Sequence, residues 1–124
     1  MPAGDEAIIG VKWESGFGHV IGLGAGGRWA ERLREIEFRL LPLTGDDAFD
    51  LIRDSALAES CLAAPDQLSA AGQLVYEALL GVSALVSAIP EISEMDLNPV
   101  ALLPALRKLS VLDARLHIVR RRAG

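Results

Sequence analysis

Apolar residues recur along this chain with two different periods. Ala7, Ile9, Val11 and Trp13 occupy alternate positions, the spacing of a strand with one apolar face. The turn at 14–18 contains Gly16 and Gly18, which can adopt positive φ. Residues 19–23 read as a second strand, and the short connection predicts an antiparallel hairpin. Gly22-Leu23-Gly24-Ala25-Gly26-Gly27 places four glycines in six residues. That density predicts a loop with a steric or functional reason. Residues 28–33 are open between strand and short helix. Ile36, Phe38 and Leu40 then alternate with Glu35, Glu37 and Arg39, which predicts a strand over 35–41 stopped by Pro42.

After Pro42 the apolar spacing becomes helical. Thr44-Gly45-Asp46-Asp47 reads as a helix start with acids in its first turn. The helix is expected to reach about residue 57 and to bury Phe49, Ile52 and Ala56. Residues 59–65 read as a linker. Asp66 can cap a longer helix to about Ile89, with an apolar stripe through Leu68, Ala71, Val75, Ala78, Leu79, Val82, Leu85, Val86 and Ile89. Pro90 ends it. Residues 91–102 and 109–119 read as two more strands around a turn at 104–108. The order β-β-β-β-α-α-β-β predicts an α+β fold, an antiparallel sheet with helices packed on one face. One domain is expected over residues 1–124, with a basic tail at 120–124.

Composition narrows the function classes. The 124 residues are 51% hydrophobic and 23% charged, which argues against general disorder. Seventeen acids against twelve bases give a net charge of -5, a poor match to a nucleic-acid-binding face. A single cysteine, Cys61, excludes an internal disulfide framework and is expected to be inert. No apolar run approaches about 18 residues, so no membrane helix is expected. The start of the chain lacks a signal-peptide core, and a cytoplasmic location is expected. No Cys-x-x-Cys or His-x-x-x-His spacing points to zinc. Gly22, Gly24 and Gly27 satisfy Gly-x-Gly-x-x-Gly, but no parallel βαβ unit follows.

The chemistry-bearing region is the last hairpin. Glu94, Asp96 and Asn98 point one way along a strand, as do Asp113, Arg115 and His117 on the next. Pairing Asn98 with Asp113 sets Asp96 opposite Arg115 and Glu94 opposite His117, gathering the polar groups on one face. Met95, Leu97, Ala114, Leu116 and Ile118 then face the helices. A one-residue slip would bury the charges, so this register is strongly preferred. An amide oxygen beside a carboxylate suits a hard cation such as Mg²⁺. The plainer alternative, favoured from spacing alone, is a solvated sheet face with an Asp96–Arg115 pair.

Glu94-Met95-Asp96-Leu97-Asn98-Pro99 followed by Asp113-Ala114-Arg115 resembles the C-terminal part of the ATP-grasp domain of ADP-forming acyl-CoA synthetases, relatives of succinyl-CoA synthetase beta subunits. Glu6 to Gly10, Phe17-Gly18, Gly24-Ala25-Gly26-Gly27 with Glu31, and Phe38 to Leu43 match further family segments in order, so the resemblance covers about residues 6–119. It implies Mg²⁺ ligands at Asn98 and Asp113 and a position near the phosphoryl-transfer centre for Asp96. Glu31 and the loop glycines Gly24, Gly26 and Gly27 would lie beside that centre. The implied cofactors are Mg²⁺ and ATP or another nucleoside triphosphate.

Three departures accompany the resemblance. Glu14-Ser15-Gly16-Phe17-Gly18-His19 replaces the family's Asp-Pro-x-Phe-Gly-Pro. Residues 59–65 lack its Arg-Gly element. The chain also begins where the family's domain is half finished. The implied partners are therefore the missing lobe or a CoA-binding subunit, with self-association expected and no nucleic acid or membrane. The chain is expected to be inactive alone, because phosphoryl transfer needs both lobes around the nucleotide. The alternative is a non-catalytic interaction or structural module that kept the fold.

Overall fold

A computed structural model of the chain describes residues 6–26 and 35–120. The ambiguous segment 28–33, Gly27 and Glu31 therefore lie outside the described residues. The elements run β1 (Glu6–Glu14), β2 (Gly18–Ala25), β3 (Glu37–Leu40), α1 (Gly45–Asp54), α2 (Ala58–Cys61), β4 (Leu62–Ala64), β5 (Gln67–Leu68), α3 (Ala70–Ala88), β6 (Ile92–Leu103), a 3₁₀ turn (Pro104–Leu106), β7 (Lys108–Val111) and β8 (Ala114–Ile118). One sheet carries the order β3-β2-β1-β6-β7, with β8 also paired to β6. All its pairings are antiparallel. The α+β architecture matches the sequence expectation.

The β1–β2 hairpin forms as its pattern predicts, from Ala7↔Ala25 to Glu14↔Gly18. Gly16 and Gly18 take φ of +89° and +85° in and beside its turn, the region that favours glycine. The glycine-rich stretch is not a loop at its start. Gly22 and Gly24 belong to β2, paired with Gly10 and Ile8. A Cβ on Gly22 would come within 2.8 Å of the Phe38 ring and 2.9 Å of Ile36. The glycine is there for close approach: it lets the two β3-side residues lie down on the sheet.

On the opposite face, Ala7, Ile9 and Val11 of β1 and Ile21 and Leu23 of β2 join Met95, Val100 and Leu102 of β6 in the core. Helices supply most of the rest: Ala48, Leu51 and Ile52 from α1, Cys61 from α2, and Val75, Leu79, Val82 and Val86 from α3. In α1, Ile52 is buried as expected, while Ala56 lies beyond the helix end and is exposed. Thr44 caps α1 in a reciprocal box. Its hydroxyl accepts from Asp47 N at 3.1 Å, and its own N–H donates to the Asp47 carboxylate at 2.9 Å. That backbone hydrogen bond holds the Asp47 carboxyl below its usual range. The cap's contribution is therefore present above the unfolded carboxyl pKa and is lost as pH falls through the lowered folded value.

Three other expectations are corrected. The linker at 59–65 is α2 followed by the small β4–β5 hairpin. Asp66 sits in that hairpin's turn, and α3 is capped by Ser69, whose hydroxyl accepts from Gly72 N at 3.0 Å. Second, α3 is long and apolar enough to cross a membrane, with a mean hydropathy of 1.4 over 18 residues. Gly72, Gln73, Glu77, Gly81, Ser83 and Ser87 break its apolar run, which hides that length from a count of consecutive apolar residues. In this fold the helix packs on α1, α2 and β6. Third, the apolar side of β8 is not covered by helices: Leu116 and Ile118 remain 54% and 55% exposed.

Two buried contacts tie α3 down. The Ser83 hydroxyl accepts from Leu43 N at 2.8 Å, and Gly72 packs directly on the Cys61 carbonyl, which any Cβ there would overlap. Helix propensity alone would favour Gly72→Ala by about 1 kcal/mol. Overlap with backbone should reverse the sign, giving a loss of about 1–3 kcal/mol in denaturant unfolding. A stabilised Gly72→Ala would show that the α2–α3 contact is looser than described. Cys61 is fully buried, and burial pushes its thiol up to about 11. Native protein at pH 8 should resist alkylation that goes to completion in denaturant, and equal labelling rates would contradict this burial.

Candidate functional site

The outer face of the sheet can be read as rows of paired residues. One row runs Phe38, Gly22, Gly10, Asp96, Arg115 from β3 to β8. The next runs Leu40, Val20, Lys12, Glu94, His117. These rows form an open cleft of about 870 Å³, with Ile8, Ile36 and Glu14 completing much of its lining. Its floor is bare backbone at Gly10, whereas Phe38 and Ile36 lie over Gly22. Phe38 and Ile36 make an apolar shelf on one side, and Asp96, Glu94, Arg115 and His117 make a charged wall on the other.

The charged wall comes from the β6–β8 ladder, whose register is the one the alternation predicts. Asp96 pairs with Arg115 and Glu94 with His117. One step on, Asn98 N donates to Asp113 O at 3.0 Å, and then Leu112 N donates to Pro99 O at 3.0 Å. The ladder thus continues from β8 through residues 112–113 into β7, where Val111 pairs with Val100. Asn98 and Asp113 are direct cross-strand partners, both exposed. They stand one step beyond the residues that line the cleft.

On its other side β6 carries a bulge against β1. Ala7 pairs with Val100 but Ile9 with Leu97, so Ile8 faces both Asn98 and Pro99. The extra residue switches the buried side of β6 from Met95 to Val100 and Leu102. Bulges re-aim side chains in this way beside functional sites. The apolar spacing Met95, Leu97, Val100, Leu102 is the sequence signal that marks it.

The other candidates are divided. Gly24 is buried beneath Ile36, at 3.1 Å from where its Cβ would be. Gly26 N donates to Glu6 O at 3.1 Å at the end of the hairpin. Gly27 and Glu31 lie outside the described residues. His19 is held by its Nε2, 2.7 Å from Ile92 O, and meets the Trp13 ring edge-on at 5.1 Å. Phe38, Ile36, Gly10 and Lys12 were not singled out as site residues from the sequence. Only the strand order sets them against Asp96.

The donor set tests the implied metal. Asn98 offers an amide oxygen and Asp113 a carboxylate, both hard ligands. Among the described residues no group of three or more His, Cys, Asp or Glu side chains could hold a metal ion. Two oxygen donors fit a Mg²⁺ ion that brings waters and phosphate oxygens with it, and do not make a self-sufficient metal centre.

The profile of the ATP-grasp domain matches residues 1–118. This chain belongs to the ATP-grasp domain family. The relatives of this ATP-grasp chain are ADP-forming acyl-CoA synthetases. It is 37% identical to the beta subunit of acetate–CoA ligase (ADP-forming) II of Pyrococcus furiosus, over 94% of this chain and 50% of the relative. It is 35% identical to 4-hydroxybutyrate–CoA ligase (ADP-forming) of Nitrosopumilus maritimus, over 95% of this chain and 17% of the relative. The ATP-grasp chain thus spans half or less of the length of these curated relatives. Among solved structures it superposes on a Pyrococcus horikoshii protein with a TM-score of 0.79 at 33% identity, covering 98% of this chain and 51% of the other. It also superposes on the dinucleotide-forming acetyl-coenzyme A synthetase 1 of Ca. Korarchaeum cryptofilum in complex with coenzyme A and Mg-AMPPCP. There the TM-score is 0.75 at 31% identity, covering 97% of this chain and 55% of the other.

Proposed function

We propose that this ATP-grasp chain supplies one wall of the nucleotide site of an ADP-forming acyl-CoA synthetase. Asn98 and Asp113 ligate a Mg²⁺ carried on the nucleoside triphosphate, and Asp96 stands beside the phosphoryl group in transfer. Bound Mg²⁺ would neutralise phosphate charge and fix the phosphates' orientation. The observation that carries this reading is the pairing of Asn98 with Asp113 through Asn98 N and Asp113 O at 3.0 Å. The solved relative bound to Mg-AMPPCP supports it.

The cleft is open to one side, and the chain spans half or less of its curated relatives. One of those relatives is a beta subunit by name. We therefore assign closure of the site to a second lobe or a partner subunit, with no turnover by these 124 residues alone. Positioning and charge neutralisation need donors on both sides of the phosphates.

Calorimetric titration with Mg-AMPPCP tests the reading. Binding should weaken about tenfold or more in Asn98→Ala and in Asp113→Ala, the effect of losing one charge-assisted contact. Both side chains are exposed, so thermal unfolding should be unchanged. Parent-like binding by the variants, or no binding by the parent, would favour a non-catalytic module that kept the fold.

A further inference from the structure

We propose that Arg115 is a phosphate-binding residue of this cleft, gripping the polyphosphate that also reaches the Asn98–Asp113 pair. The inference rests on the nucleotide reading above and adds to it a residue with no metal role. Arg115 of β8 lies two positions after Asp113, which continues the same ladder just before that strand. The two side chains therefore share a face at a spacing of about 6–7 Å. Its cross-strand partner is Asp96, so it stands between the ladder pair assigned to the metal and the glycine floor of the cleft.

Its charge is not committed within the fold. Arg39 is bound to Glu37 at 2.8 Å and to Asp54 at 2.5 Å. Arg53 is bound to Asp50 at 3.0 Å and to Asp54 at 3.3 Å. Arg115 faces Asp96 directly, yet among the described residues no ion pair or hydrogen bond ties its guanidinium down. An exposed cross-strand pair of this kind is weak and need not close. Here the two groups stand open on either side of the same row.

The charge pattern of the lining gives Arg115 its task. Glu14, Glu94 and Asp96 face the cleft, against the permanent cations Lys12 and Arg115. Lys12 already lies 3.8 Å from Glu14. A polyphosphate entering over the glycine floor meets an acidic wall, and Arg115 is the one permanent cation of the lining that no carboxylate holds. A planar guanidinium can also fork two N–H donors onto phosphate oxygens, which an ammonium cannot match. Gly10, with nothing over it closer than the Met95 carbonyl at 3.7 Å, leaves room for the phosphates to approach the backbone beside it.

The test is titration of the full 124-residue chain with AMPPCP and with tripolyphosphate, each with and without Mg²⁺. Arg115→Ala and Arg115→Gln should each weaken both ligands about tenfold, and Arg115→Lys should recover part of the loss. Residual binding in the Arg115 variants should still be strengthened by Mg²⁺. In Asn98→Ala that Mg²⁺ enhancement should vanish. If Asn98→Ala loses it while Arg115→Ala and Arg115→Gln bind like the parent, the Arg115 inference falls and the nucleotide reading stands. If the parent binds neither ligand, or Asn98→Ala binds as the parent does, the nucleotide reading falls and takes this inference with it.

Discussion

The antiparallel ladder between β6 and β8 is the constraint on which the site depends. Its register follows from burial. Met95 is 6% exposed on the helix side of β6, while Glu94 and Asp96 face water. Moving either strand by one residue would exchange those faces and bury carboxylates without partners. The same register sets Asp96 against Arg115, Glu94 against His117 and Asn98 against Asp113. Core packing on one face therefore orders the chemistry on the other.

The sheet has one dry face and one wet face, and both are needed. Helices α1, α2 and α3 cover the first and share its core about equally with the strands. Among the described residues no helix covers the second, whose lining runs from Phe38 and Ile36 over Gly22 to the open Gly10 and the charged residues of β6 and β8. Gly22 makes room for Phe38 and Ile36 to lie across the sheet, so the cleft gains an apolar shelf there and keeps its backbone floor at Gly10. The bulge at Asn98–Pro99 then lets β6 serve two packing environments, with Met95 buried before it and Val100 and Leu102 after it.

The helical layer shows how local and global preferences divide. Thr44 and Ser69 are local caps, set by side-chain hydrogen bonds to nearby amides. The seat of α3 is global: it depends on Gly72 against the Cys61 carbonyl and on Ser83 accepting from Leu43, contacts that join distant parts of the chain. Such a helix can satisfy the length and apolarity of a membrane span and still serve as a core helix, because burial is decided by what packs against it.

What was legible in the residues alone is what rests on period and local stereochemistry. The alternation of β1, the hairpin turn at Gly16 and Gly18, the stripe on α3 and the register of the last hairpin all follow from side-chain direction along a strand or helix. The pairing of Asn98 with Asp113 is of this kind, since the two strands are close in sequence and their polar faces match. The tertiary structure alone decided what depends on strand order and close approach. Phe38 and Asp96 are 58 positions apart, and only the order β3-β2-β1-β6 brings them into one row. The linker around residue 62 became a hairpin through contacts that leave little periodic trace in three residues. Exposure of Leu116 and Ile118 likewise could not be read from alternation, because a pattern says which way a side chain points and not whether anything stands there to meet it.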